Sequence, residues 1–188
     1  MYTCSVCGRE SKNRSVIDNC KHSRLKKTQV IDNEPDNIKK IDKSEETVLE
    51  NVPGKTVRKV YHCSDIHIRL NSQHDQYRAV FSNFYKMLAE SEQGVVVCCG
   101  DILHNKNELS PECIVLVLDF LESLAKIMPT FIIAGNHDAV LSNVDKMDSL
   151  SGILDRRVIS NLYYLKNSGV YRYNNLVFGV SSLLDGKF

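Results

Sequence analysis

The sequence predicts an α/β protein built on a parallel sheet, and two observations carry that prediction. From about Val57 onward, short apolar runs alternate with segments of helical periodicity in the order strand, helix, strand, helix, strand. Three of those runs each end in a compact polar block: Asp65-Ile66-His67 after VRKVYHCS, Gly100-Asp101-Ile102-Leu103-His104 after GVVVCC, and Gly135-Asn136-His137-Asp138 after PTFIIA. Ligands of open α/β sheets bind outside the carboxyl ends of the strands, where all three blocks fall.

Along the chain, residues 1–27 carry Cys4-Ser5-Val6-Cys7-Gly8 and then Cys20-Lys21-His22. A Cys-x-x-Cys turn offers two thiolates to a tetrahedral zinc, so Cys4, Cys7, Cys20 and His22 are candidate ligands of a structural Zn2+ in a small Cys-rich appendage. The second pair is Cys-x-His rather than a widely spaced pair, and unliganded surface thiols remain the alternative. Residues 28–56 are dominated by Asp, Glu, Lys and Asn with Pro35, Pro53 and Gly54 as breakers, and read as a polar linker.

The main domain is expected over 57–188. Val57 to Cys63 reads as its first strand. Gln73 to Glu90 reads as a helix, with Val80, Phe81, Phe84, Met87 and Leu88 at helical spacing, and Gly94 to Cys99 as the second strand. Ser110-Pro111 opens a second helix to about Ile127, Ser capping and Pro preset for the first turn, with Ile114, Leu118, Leu121 and Leu124 inward. Thr130 to Ala134 is the third strand. Runs apolar on both faces predict right-handed crossovers with helices covering both sides of the sheet. Beyond lie an expected short helix, Val144 to Leu154, a strand, Leu162 to Leu165, and a hairpin of Val170–Tyr173 and Leu176–Val180 turning at Asn174-Asn175.

A length of 188 residues suits one domain plus a small appendage. With 43% apolar and 25% charged residues, wholesale disorder is a poor fit. No apolar stretch approaches the roughly 18 residues of a spanning helix, and the N-terminus lacks a secretory apolar core, so no membrane association is expected and the expected location is intracellular, cytoplasm or nucleus. There, seven cysteines imply reduced thiols. Cys63, Cys98, Cys99 and Cys113, inside apolar runs, read as small buried hydrophobes. Residues 1–60 hold 13 Lys+Arg against 9 Asp+Glu, and the remainder 11 against 14. A basic head favours phosphate backbones, but a solvated tail has the same composition.

Strand side chains alternate faces, which predicts that Asp65 and His67 point to one side where the first strand ends. Carboxylate, imidazole and amide groups would there converge on metal ions. Taken singly, Asp65 is also a turn cap, His67 and His104 are also surface residues, and Asn136 also suits a left-handed turn. His62 and His74 lie outside the blocks and read as structural. Tyr163, Tyr164, Tyr171 and Tyr173 suit strand packing better than base stacking.

Asp-x-His, Gly-Asp-x-x-His and Gly-Asn-His-Asp in this order resemble the calcineurin-like metallophosphoesterases. Gly-Asp-Ile-Leu-His followed by Ser110-Pro111-Glu112 is similar, within them, to the SbcD-type DNA-repair nucleases. The Asp-Arg-Gly and the Glu after Gly-Asn-His of protein serine/threonine phosphatases are both absent. The resemblance implies a layered αββα sandwich and two divalent ions, manganese favoured over magnesium. It implies Asp65 and His67 on the first ion, Asp101 as a bridge and Asn136 on the second. It casts His137 as transition-state stabiliser or proton donor, His104 as a group that helps orient His137 or the phosphate, and Asp138 as a group that polarises or positions its neighbours. DNA as substrate, in repair or recombination, and a coiled-coil SMC-like ATPase of the SbcC type as partner are implied by the family alone.

The superfamily completes its metal site with a further His and a late Gly-His-x-His block, and none of the six histidines here lies beyond His137. The chain is therefore expected to be the front part of a phosphoesterase domain, incomplete at its C-terminus, binding metal weakly and hydrolysing DNA poorly on its own. Exposed sheet edges would favour oligomers such as a homodimer. The alternatives are a phosphodiesterase acting on a cyclic nucleotide or small phosphoester, and a zinc-knuckle binding module on an incomplete phosphoesterase fold.

Overall fold

A computed structural model describes residues 2–3, 10–11, 46–70, 72–105, 107–143 and 146–185. Strands β1 (Tyr2–Thr3) and β2 (Glu10–Ser11) pair antiparallel within a first unit, Met1–Ile41. The zinc candidates Cys4, Cys7, Cys20 and His22 lie outside the described residues.

The second unit, Asp42–Phe188, carries the three polar blocks. Its elements are β3 (Glu46–Glu50), β4 (Val60–Cys63), α1 (His74–Glu90), β5 (Val95–Cys99), α2 (Pro111–Ile127), β6 (Thr130–Ile133), α3 (Ser149–Leu154), β7 (Leu162–Tyr164), β8 (Gly169–Tyr173) and β9 (Leu176–Val180). Strands β4-β5-β6-β7 form an all-parallel sheet, and β3-β8-β9 a second, mixed one. The α/β class with its parallel sheet is as the sequence predicts.

Alternation along the strands sorts the core into two layers. Val96, Cys98 and Ile132 face the helices, packing with Phe81 and Leu88 of α1, Leu121 and Leu124 of α2, and Leu150 of α3. Val95 and Phe131 face the other way, against Tyr173, Leu176 and Phe178 of the second sheet. Helices were expected on both sides of the parallel sheet. Its second face is instead covered by β3-β8-β9, because a half-apolar hairpin buries such a face as well as a helix does. Cys99 is exposed, contrary to its reading as a buried hydrophobe.

The residues read as polar linker contain β3, which extends the unit N-terminally of Val57. Only Val48 and Leu49 of this strand are apolar. It is held by parallel pairing to β8, by the Arg172–Glu46 ion pair at 2.8 Å and by the Tyr163 hydroxyl donating to Glu50 at 3.0 Å, contacts across more than 100 residues that local periodicity does not reveal. The tyrosines pack as expected: Tyr163 stacks on Phe131, and Tyr173 is fully buried.

Helix α3 is shorter than the Val144–Leu154 expectation because Asp148 caps it. That carboxylate, 3% exposed, accepts from the Ser151 N–H (2.8 Å), the Ser151 hydroxyl (2.6 Å) and the Tyr164 hydroxyl (2.7 Å), with the Lys166 ammonium at 3.7 Å. Burial pushes the Asp148 carboxyl up, but these donors outweigh it and hold it below the usual aspartate value. A depressed folded-state value contributes stability above the unfolded value of about 3.9, lost as pH falls through the folded one. Asp148→Ala is expected to cost about 2–4 kcal/mol at pH 7. Urea unfolding at pH 7 and pH 3 should show the gap to wild type narrowing at the lower pH.

Candidate metal centre

The loops after β4, β5 and β6 carry the three blocks, and their backbones depart from ordinary geometry. Asp65 (φ 56°), His67 (φ 51°) and Asp101 (φ 53°) all occupy the left-handed region, with Gly100 at φ 82°. Aspartate tolerates this conformation better than most residues, yet each instance costs on the order of 1–3 kcal/mol and persists only where the surroundings enforce it. The strand alternation expected to align Asp65 with His67 is therefore not what aligns them, since β4 ends at Cys63. Their backbones are instead zipped to the next loop. The N–H groups of Asp65, His67 and Ile68 donate to the carbonyls of Gly100 (3.2 Å), Asp101 (2.9 Å) and Ile102 (2.9 Å), and His104 N–H donates back to Ile68 (3.0 Å). From the helices, the Tyr77 hydroxyl donates to the His67 carbonyl (2.7 Å) and the Ser110 hydroxyl to Leu70 (2.8 Å). Tyr77 is a positioning residue that sequence reading missed; its place in the first turn of α1 was the available signal.

The third loop locks onto the second. A Cβ on Gly100 would stand 2.7 Å from the Gly135 Cα, and one on Gly135 would overlap the Asp101 carboxylate and backbone nitrogen, so the two loops approach this closely only because both residues are glycine. Asp138, fully buried, accepts from the N–H groups of Leu103 (2.9 Å), Gly135 (2.9 Å) and Ile102 (3.3 Å). Burial pushes its carboxyl above the usual aspartate value, and the three donors offset that only in part. Asp138, expected among the site residues as a group that polarises or positions its neighbours, has its oxygens held by these three backbone donors and so braces the two loops. His137 N–H donates to Asp101 Oδ1 at 2.8 Å, completing the clamp.

These loops bring the predicted side chains together. His67 Nε2 lies 3.7 Å from Asp65 Oδ1 and 3.9 Å from Asp101 Oδ2. Two atoms bound at about 2.1 Å to one ion stand no more than about 4.2 Å apart, so both separations fall within the reach of a single cation. His67 also belongs to a second cluster with His104 and His137, with ring centroids 5.6 and 4.6 Å from its own. The Nδ1 atoms of His67 and His104 are buried without a hydrogen-bond partner. Partial burial, then Arg69 and the facing imidazoles of His67 and His137, hold His104 below the ordinary histidine value. His137 Nδ1 lies 2.9 Å from the His104 carbonyl, which can only accept, so the ring proton sits on Nδ1 and Nε2 is left for the cleft. Exposed Asn136 lines that cleft, of about 460 Å3, with His104, Asn105, Asn107, Glu108 and His137. Two carboxylates, an imidazole and unpartnered ring nitrogens form a donor set that fits a divalent cation. His62 is exposed, and His74 bonds the Arg69 carbonyl at 2.6 Å, structural as expected.

The profile described as calcineurin-like phosphoesterase matches residues 58–187, from β4 to the last residues of the chain. The chain belongs to the calcineurin-like phosphoesterase family. This metallophosphoesterase family uses divalent metals, and the Asp65–His67–Asp101 group is a candidate set of ligands for one. The chain is also similar to the uncharacterized protein R555 of Acanthamoeba polyphaga mimivirus, with 43% identity over 133 residues, 69% of this chain and 10% of the relative. It thus spans about a tenth of the length of the curated relative it matches.

Proposed function

We propose that this phosphoesterase is a metal-dependent phosphodiester hydrolase acting on DNA, a nuclease of the SbcD type. The observation that carries the hydrolase reading is the pair of clusters sharing His67: carboxylates and imidazole on one side, imidazoles facing an open cleft on the other. DNA is favoured over smaller phosphoesters by the Gly100–His104 block followed by Ser110-Pro111-Glu112. Asp65, His67 and Asp101 would hold a first divalent ion, manganese favoured over magnesium, and Asp101 with Asn136 a second. Bound divalent cations supply charge neutralisation on phosphate oxygens and make water a better nucleophile at neutral pH.

The protein groups have separate tasks. His137, its Nδ1 proton fixed on the His104 carbonyl, offers Nε2 to the phosphate, and in its protonated form can donate to the departing oxygen. His104 orients His137 through its backbone carbonyl. Asp138 keeps the two loops in register. By the same family reading, the protein works inside the cell in break repair or recombination with an SMC-like coiled-coil ATPase of the SbcC type.

A substrate panel with Mn2+ tests this: linear duplex DNA, a cyclic nucleotide and bis(p-nitrophenyl) phosphate. Turnover by the chain is expected to be slow but highest on DNA, and Asp101→Ala is expected to lower it by at least about 100-fold, as loss of a metal ligand exceeds the 10–100-fold of outer-shell changes. Preference for the cyclic nucleotide or small diester would replace DNA with the alternative substrate class.

A further inference from the structure

At the root of the metal centre lies a feature that hydrolysis does not use. Cys63, the last residue of β4, and Cys98 of β5 are direct partners in the parallel register, and both face the helix layer. Their Sγ atoms are 3.1 Å apart. Neighbouring strands run about 4.8 Å apart, inside the roughly 4.4–6.8 Å Cα window of a disulfide, so the backbones already stand at bridging distance. Exposure is graded. Cys63 is half-buried, Cys98 is 1% exposed, and Cys99 is exposed on the alternate side of its strand.

We infer that Cys63 and Cys98 are a reversible disulfide site, oxidised by a small-molecule disulfide such as oxidised glutathione, and that closing it weakens the metal centre. Access dictates the order of events. The Cys63 thiolate attacks one sulfur of the oxidised reagent, forming a mixed disulfide and releasing one glutathione thiolate. Cys98 then attacks the Cys63 sulfur. The mixed bond breaks, and the second glutathione leaves as a thiol carrying the Cys98 proton. Two protein thiols are oxidised and one glutathione disulfide is reduced to two thiols.

The link to the metal centre rests on the ligand assignment proposed above. Cys63 stands two residues before Asp65 and Cys98 three before Asp101, and the loops between are joined by the Asp65 N–H to Gly100 carbonyl bond at 3.2 Å. Disulfides favour a Cα separation of about 5.5–6 Å, wider than the roughly 4.8 Å strand spacing, so closing the bond pushes the strand ends apart by about 1 Å. Metal sites hold their ligand distances within about 0.2 Å, so a shift of that size propagated to Asp65 and Asp101 is felt as lost affinity, about tenfold, the low end for outer-shell changes.

The test equilibrates the full chain in glutathione buffers of graded oxidation, then alkylates and maps the peptides, with Mn2+ affinity followed in parallel by the resonance signal of the free ion. The expected result is a peptide linked through Cys63 and Cys98, two fewer alkylatable thiols and about tenfold weaker Mn2+ binding. Both changes should reverse with dithiothreitol and be absent in Cys63→Ser and, independently, in Cys98→Ala. Absence of linkage, glutathione retained on Cys63, or a bridge to Cys99 overturns the disulfide site. Linkage with unchanged Mn2+ affinity overturns the coupling. Linkage in a protein whose reduced form binds no Mn2+ sinks the metal assignment while upholding the disulfide site.

Discussion

Asp138→Ala is expected to destabilise this domain strongly although it removes no metal ligand. The Asp138 carboxylate satisfies three backbone N–H groups, of Ile102, Leu103 and Gly135, from inside a site with no exposed surface. Each buried donor left without a partner costs about 1–3 kcal/mol. Removal of the charge relieves its own burial cost, so the net loss should be about 3–5 kcal/mol, a large share of the roughly 5–15 kcal/mol that holds a domain together. Thermal unfolding of the variant measures this directly. Were Asp138 instead a proton-transfer group facing substrate, Asp138→Ala would abolish turnover and leave stability nearly unchanged.

Gly135→Ala carries the second large effect, this one on metal binding. The added methyl would overlap both the Asp101 carboxylate and the Asp101 backbone nitrogen, so side-chain rotation alone does not relieve it and the third loop must move outward. Overpacking of this kind costs about 1–3 kcal/mol, within what a domain survives. Displacing a ligand by even part of an ångström is far outside the tolerance of a metal site, and Mn2+ affinity is expected to fall on the order of 100-fold. Gly179→Ala is the matched control, since a Cβ there meets nothing within 4 Å, and it should leave both unfolding and Mn2+ titration as in wild type. Equal Mn2+ affinity in the two variants would mean that Asp101 is not a ligand.

Much of this was legible in the sequence because its signals are local. The three polar blocks each follow a strand, the second and third of them largely apolar runs, α2 begins with a serine cap and a proline, and the β8–β9 hairpin turns where two asparagines stand together. What the sequence hid depends on partners distant along the chain. Strand β3 lies in a charged stretch and exists because β8 offers it an edge. The second sheet, rather than a helix layer, takes the far face of the parallel sheet because the hairpin presents Leu176 and Phe178 to it. At the candidate metal centre the sequence singled out residues that the structure brings close together, but not how they meet. Alternation along an extended strand predicted the alignment of Asp65 with His67, whereas the chain achieves it through left-handed residues zipped to a neighbouring loop. Asp138 was visible as part of a block, but only its three backbone donors reveal a brace.

In the proposed hydrolase Asp65, His67 and Asp101 grip one cation. Crystals soaked in MnCl2 and measured at the manganese absorption edge test it most directly. The expected result is an anomalous peak at roughly 2.0–2.3 Å from an oxygen of Asp65, an oxygen of Asp101 and a ring nitrogen of His67, absent from Asp101→Ala crystals treated alike. A manganese peak elsewhere on the domain, with these three side chains left uncoordinated, would contradict it.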